Sequence, residues 1–151
     1  MNTRKLKCHF LLLCAMLGAG TLTTSCMTSS TPVKEASPLS LLNTQWRLTK
    51  LGDEVIDNPP GEGAVYFLLQ PTNTNLVGFS GCNRMFGQYA LDGPSLKFDG
   101  LGGTRMFCQA RMELEQKYLA MFGNVTRWTM TGATLQLLDA DARVIAAFDP
   151  P

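Results

Sequence analysis

Histidine is all but missing from this chain: His9 is the single copy, and it falls in a segment that reads as a removable leader. Without an imidazole the rest of the chain cannot build Ser-His-Asp or Cys-His nucleophiles, a His-containing zinc site or a histidine general base. Only a carboxylate pair, a lysine or an unassisted thiol remains for catalysis, so an enzyme is not expected. Charge is sparse as well, at 17% of residues. Beyond the leader, Lys and Arg are scattered singly along the sequence, whereas tracking phosphates needs several on one face, which excludes nucleic acid as an expected partner.

The leader supplies the first positive signal. Arg4, Lys5 and Lys7 precede an apolar stretch from Phe10 to Leu17, too short to span a bilayer, and then a small-residue run, Gly18 to Ser25, that ends at Cys26. That order describes an export signal whose cysteine becomes the lipidated first residue of the mature chain. Thr24 and Ser25 suit such a site, although Thr23 stands where Leu is usual. Cys14 competes, but bulky Leu13 precedes it and it lies inside the apolar stretch. An uncleaved anchor or a buried helix is the structural alternative. The expected organisation is a signal peptide over residues 1–25, a lipidated Cys26 with a flexible tether to residue 40, and one domain over residues 41–150. Met27 is not the Asp that retains many lipoproteins at the inner membrane, so the expected location is the cell envelope, at the outer membrane facing the periplasm.

Cleavage removes three cations and no anion, which turns a formal charge of +1 into −2. It also removes Cys8 and Cys14, leaving Cys82 and Cys108 as an unattached pair. In an oxidising envelope that pair is most simply a disulfide, which stabilises a loop of that length by about 3 kcal/mol. A redox pair is the alternative, but thioredoxin-like chemistry uses Cys-x-x-Cys at a helix start.

From Met27 to Ser40 the chain is Ser, Thr and Pro with few apolar residues, a tether composition. Beyond it, apolar and polar residues alternate at Trp46 and Leu48, Val77 and Phe79, Tyr89 and Leu91, Leu96 and Phe98, and Trp128 and Met130, which predicts half-buried strands. Leu135 to Leu138 and Val144 to Phe148 add two more across an Asp139 to Ala142 turn, and the continuous run Val65 to Leu69 reads as a more fully buried strand. Asn58-Pro59-Pro60-Gly61, Asp92-Gly93-Pro94 and Thr131-Gly132 mark loops and turns. Leu114, Tyr118, Met121, Phe122 and Val125 instead follow a helical period, which predicts an amphipathic helix over Gln109 to Gly123, with Glu113 and Lys117 paired on its wet side. The fold class is therefore mainly β (α+β): an antiparallel, barrel-like meander with one amphipathic helix docked across an end or an open face.

No catalytic motif survives inspection. Gly78-Phe79-Ser80-Gly81-Cys82 lacks the second glycine of a nucleophile elbow, and Gly78, Gly81 and Gly87 fit a tight turn or bulge better than a phosphate loop. Asp139 and Asp141 lack the Gly and Glu of a calcium loop, so they read as a hairpin turn. Glu113 and Glu115 point about 200° apart on a helix and read as a solvated face. No cofactor or metal is expected.

Gly81-Cys82-Asn83, Gly87-Gln88-Tyr89, Leu96-Lys97-Phe98, Thr104-Arg105-Met106 with Cys108, Met112-Glu113 with Glu115, and Leu135-Gln136-Leu137 with an ending at Phe148 together resemble the META domain, a family that includes HslJ-like heat-shock lipoproteins. The resemblance covers nearly all of residues 41–149. It implies a small barrel-like domain with a docked helix, secreted or lipid-anchored, with no recognised enzymatic activity. It also implies links to heat induction and novobiocin resistance, and a fold like that of a pilotin that escorts secretin subunits.

Gly81 and Asn83 are expected to shape a turn, since Asn tolerates left-handed backbone, with a polar ligand site there as the alternative. Thr104 and Arg105 precede Cys108, and Arg105 is expected to pair with a carboxylate or else bind an anion. The expected role is a lipid-anchored envelope protein whose non-catalytic domain supports envelope stress or drug tolerance by binding or scaffolding. Its expected partners are the membrane, through the lipid, and an envelope protein or a hydrophobic small molecule. The alternatives are a carrier for such a molecule, with Met106, Met112, Met121, Phe122 and Phe86 lining a cavity or else filling an ordinary core, and a pilotin-like escort docking an exported segment on a strand edge.

Overall fold

A computed structural model describes residues 39–61 and 63–151. Their elements, in chain order, are β1 (Trp46–Leu51), β2 (Glu54–Val55), β3 (Tyr66–Gln70), β4 (Asn75–Phe79), β5 (Arg84–Asp92), β6 (Ser95–Gly103), α1 (Met112–Phe122), β7 (Arg127–Thr131), β8 (Thr134–Leu138) and β9 (Val144–Asp149). Each strand pairs antiparallel with its neighbour in the order β2-β1-β3-β4-β5-β6-β7-β8-β9, and β1 pairs with β9 to close the ring. The mainly β meander with a docked helix is thus the observed architecture. Among the described residues no helix is long and apolar enough to cross a membrane.

Alternation decides which side chains face inward. Trp46, Leu48, Leu76, Leu96, Leu135 and Leu137 are fully buried, while the residues between them face outward. β3 departs from expectation. Val65, Phe67 and Leu69 are fully buried but Tyr66 and Leu68 only half so. A closed ring has one dry side, so its strands bury one face, with β9 the exception, where Ala146, Ala147 and Phe148 are buried in succession.

β5 and β6 are longer than their alternating cores suggest. The extension runs through Gly87, where the register shifts, and into Gly102 and Gly103 opposite Phe86 and Met85. A Cβ at Gly103 would come within 2.7 Å of the Arg84 carbonyl oxygen, so only glycine permits this approach. The ring is also uneven. β6 and β7 meet at one residue pair, Ser95 with Arg127, and β1 and β3 at two. Below that second junction the Asn58 side chain continues the ladder: its Nδ2 donates to the Leu48 and Val65 carbonyls at 2.9 and 2.8 Å, and its Oδ1 accepts from Val65 N at 2.8 Å.

The helix lies across the end of the ring that carries the β1–β2, β4–β5 and β8–β9 turns. Lys117 reaches Glu54 at 3.6 Å and Glu113 at 2.8 Å, the expected pairing on the wet side. It begins at Met112 rather than Gln109, because residues 108–111 form a turn closed by Arg111 N donating to Cys108 O. Its inner stripe enters the barrel and fills it. Phe122 packs edge-on to Phe98 (4.9 Å), Tyr118 (5.1 Å) and Phe67 (5.8 Å), and Phe67 to Phe148 (4.9 Å). Such pairs contribute about 0.5–1.5 kcal/mol each beyond the area they bury.

Candidate functional site

The helix-capped end gathers the residues singled out by the sequence. At the β4–β5 turn, Ser80 N and Ser80 Oγ both donate to the Asn83 carbonyl at 2.9 Å, and Asn83 N donates back to Ser80 Oγ at 3.2 Å. Gly81 sits between them at φ +97°, where a Cβ would be strained and would also press on Val65.

Asn83 does not use the left-handed backbone that the sequence suggested. Its side chain, in a residue only 4% exposed, crosses to other elements instead. Oδ1 accepts from Thr104 Oγ1 at 2.8 Å and from Met106 N at 2.7 Å. Nδ2 donates to Met106 O at 3.1 Å and to the Glu115 carboxylate oxygens at 2.9 and 3.1 Å. Two donors and two acceptors exhaust a primary amide. Thr104 completes the hub by accepting from Arg84 N at 3.2 Å. Cys82 and Cys108 are joined by a disulfide, with Cα atoms 5.8 Å apart, so the loop from Thr104 to Arg111 is fastened at both ends.

A family model for the META domain matches residues 39–150, a span that includes all of these residues. The chain belongs to the META domain family. Its fold is similar to that of a protein from Burkholderia xenovorans solved by NMR, with 28% identity and a TM-score of 0.58 over 80% of this chain and 97% of that one. A second NMR structure, at 21% identity and a TM-score of 0.52, covers 70% of this chain and 87% of that one and shares the fold. Among curated proteins, none matches.

Within this META domain Glu115 is the residue that sequence reasoning misplaced. Its residue type and its offset from Glu113 suggest a solvated face, yet it is 8% exposed and bonded to Asn83. The signal was its phase: Glu115 precedes Tyr118 by three and Phe122 by seven, which puts it on the inner stripe. Glu113, by contrast, is exposed, and its hydrogen bond to Lys117 holds its carboxyl below the usual range. Arg105 is exposed and makes no ion pair with any described residue, contrary to the carboxylate partner expected for it.

Between α1 and the β5–β6 pair a cleft of about 280 Å³ opens beside the hub, with Asn83, Arg84, Thr104, Arg105 and Glu115 along its polar side and Met85, Leu101 and Leu119 along its apolar side. A larger groove of about 710 Å³ runs between α1 and the β8–β9 hairpin. Its charges are already matched. Arg143 pairs with Asp139 at 3.0 Å and with Asp141, and the Arg143 backbone N–H leads the contacts that hold the Asp139 carboxyl below its ordinary range. That geometry makes the Asp pair a hairpin device.

The five residues considered as a cavity lining lie apart. Met121 and Phe122 belong to the core and Met112 is half-buried, whereas Phe86 and Met106 are 56% and 64% exposed; Phe107, next to Met106 and outside that set, is 80% exposed. Neither a single cavity nor the core accommodates the whole set, because an outward strand position carries Phe86 into solvent and the braced loop carries Met106 there. Among the described residues no group of three or more His, Cys, Asp or Glu is placed to hold a metal. Cys26 and the leader lie outside the described residues.

Proposed function

We propose that this chain is a lipid-anchored cell-envelope protein whose META domain binds or scaffolds a partner through its helix-capped end, without catalysis, and so supports tolerance of envelope stress or of hydrophobic toxic compounds. One observation carries the reading. The loop braced by the disulfide and by Asn83 presents Met106 and Phe107 to solvent side by side. Large apolar side chains exposed on a braced backbone are an interaction surface in waiting, since the loop itself need not be ordered on binding.

The rivals fare less well. A carrier needs a hollow interior, and the aromatic cluster of α1 and the strands occupies it. Strand addition by an escort needs an accessible apolar edge. Where β6 separates from β7 its residues include exposed Lys97 and Asp99, charges of the kind that protect edges.

Mass spectrometry of the chain isolated from membranes is expected to find acyl groups on Cys26. A Met106→Ser/Phe107→Ser chain is expected to melt like the parent yet fail to restore a deletion strain challenged by heat or a hydrophobic antibiotic. An unmodified Cys26 overturns the anchor, and full restoration overturns the docking loop.

A further inference from the structure

The hub leaves two features of the cleft unexplained. Glu115 lines it at 8% exposure, yet no described Lys or Arg lies within ion-pair distance, and both carboxylate oxygens share one donor, Asn83 Nδ2. A carboxylate offers about four acceptor sites, and burying one with so few donors and no cation is costly. On the same cleft, Arg84 and Arg105 are exposed and form no ion pair among the described residues. From Leu39 onward the chain has nine basic and eleven acidic side chains, so two neighbouring cations without a carboxylate partner among the described residues run against its composition.

The other polar groups of the cleft have little left to offer. Ser80, Asn83 and Thr104 bond to one another and to the main chain. Recognition therefore falls to an incompletely satisfied anion, two unmatched cations and the apolar side formed by Met85, Leu101 and Leu119.

We propose that the cleft binds a small zwitterion with an apolar side chain, an amino acid or a dipeptide. Its ammonium group supplies donors to Glu115, its carboxylate meets Arg105 and Arg84, and its side chain covers Leu101 and Leu119. A simple anion leaves Glu115 unserved, and a simple cation leaves the arginines unserved. The volume of about 280 Å³ lies just under the range of about 300–1,000 Å³ usual for ligand pockets, which restricts the occupant to a short molecule. The inference rests on the reading of this end as the binding end and names what it takes.

The test is an amide chemical-shift titration of the full chain, isotope-labelled and held in detergent, with four probes: L-leucine, Leu-Leu, N-acetyl-leucine without the ammonium group, and leucinamide without the carboxylate. Saturating shifts are expected at Leu101, Thr104 and Leu119 with L-leucine or Leu-Leu, and binding at least tenfold weaker for each blocked probe. Glu115→Gln is expected to weaken the zwitterion about tenfold while leaving N-acetyl-leucine unchanged. Arg105→Gln is expected to weaken it while leaving leucinamide unchanged. Saturation by N-acetyl-leucine as tight as by the zwitterions reduces the cleft to an anion site and overturns the proposal, as does the lack of saturation by any probe. The Met106→Ser/Phe107→Ser chain separates the two readings, because it keeps these shifts if the cleft binds independently of the docking loop.

Discussion

Asn83 Nδ2 donates to both carboxylate oxygens of Glu115, at 2.9 and 3.1 Å, across a sequence distance of 32 residues. One amide thus ties the β4–β5 turn to the first turns of α1 while its oxygen holds the Thr104–Met106 segment. Asn83→Ala is expected to cost about 2–4 kcal/mol, since several buried groups lose their partner together. Asn83→Asp should cost at least as much, because it removes both donors and sets two carboxyls face to face. Adding Glu115→Gln to Asn83→Asp reverses donor and acceptor and is expected to recover part of the loss. Urea unfolding of the parent, Asn83→Asp, Glu115→Gln and the double variant reads the cycle, and strict additivity would refute the coupling.

Replacing Cys82 and Cys108 together by alanine is expected to lower stability by about 3 kcal/mol, through the freedom returned to the unfolded loop. Differential scanning calorimetry should show a fall in Tm on the order of 10 °C or more. A reducing agent should produce a similar fall in the parent and none in the variant.

Tyr118 is fully buried and its hydroxyl has no hydrogen-bond partner among the described residues. Tyr118→Phe keeps the ring against Phe122 and sheds a desolvated group, so a gain of about 1 kcal/mol is expected. Burial drives the Tyr118 phenol well above its ordinary 10.0. A pKa raised on folding contributes stability that is complete below the unfolded value and is lost as pH climbs toward the folded one. The parent should therefore weaken as pH rises above about 10 more steeply than Tyr118→Phe, although burial also raises Tyr89, so some alkaline slope remains. Equal slopes in denaturant titrations would contradict this account.

Asn58→Ala removes three bonds beside the two-pair junction of β1 and β3 and should cost about 2–3 kcal/mol. Amide exchange of Leu48 and Val65 is expected to rise more than that of β8, and a uniform rise would show that the junction is not a local weak point.

The strands that alternate plainly, such as β1 with Trp46 and Leu48 and β8 with Leu135 and Leu137, were legible because one dry side imposes a two-residue period. β6 was legible only to Asp99, since Gly100 to Gly103 carry one side chain among four residues and leave no period to read. The helix was legible from Tyr118 and Phe122, but a carboxylate on the same stripe looked like surface because residue type outweighed phase. Asn58 and Asn83 were legible as turn formers; their cross-element bonds were not, because partners such as Leu48 or Glu115 become neighbours only after the ring closes. Arg105 looked as if it should pair, and only the folded arrangement reveals that it forms no ion pair among the described residues.

The first and last strands of the domain lie side by side, Arg47 opposite Asp149, and the chain comes in past Asn43, whose N–H meets Leu69 near the β3–β4 turn. β4 runs from that turn to the one that holds Asn83. Entrance and exit therefore share a single pole. Whatever is fused to either terminus emerges together with the other, so the domain can be strung in tandem or inserted into a host loop without a long spacer, and the opposite pole stays unobstructed.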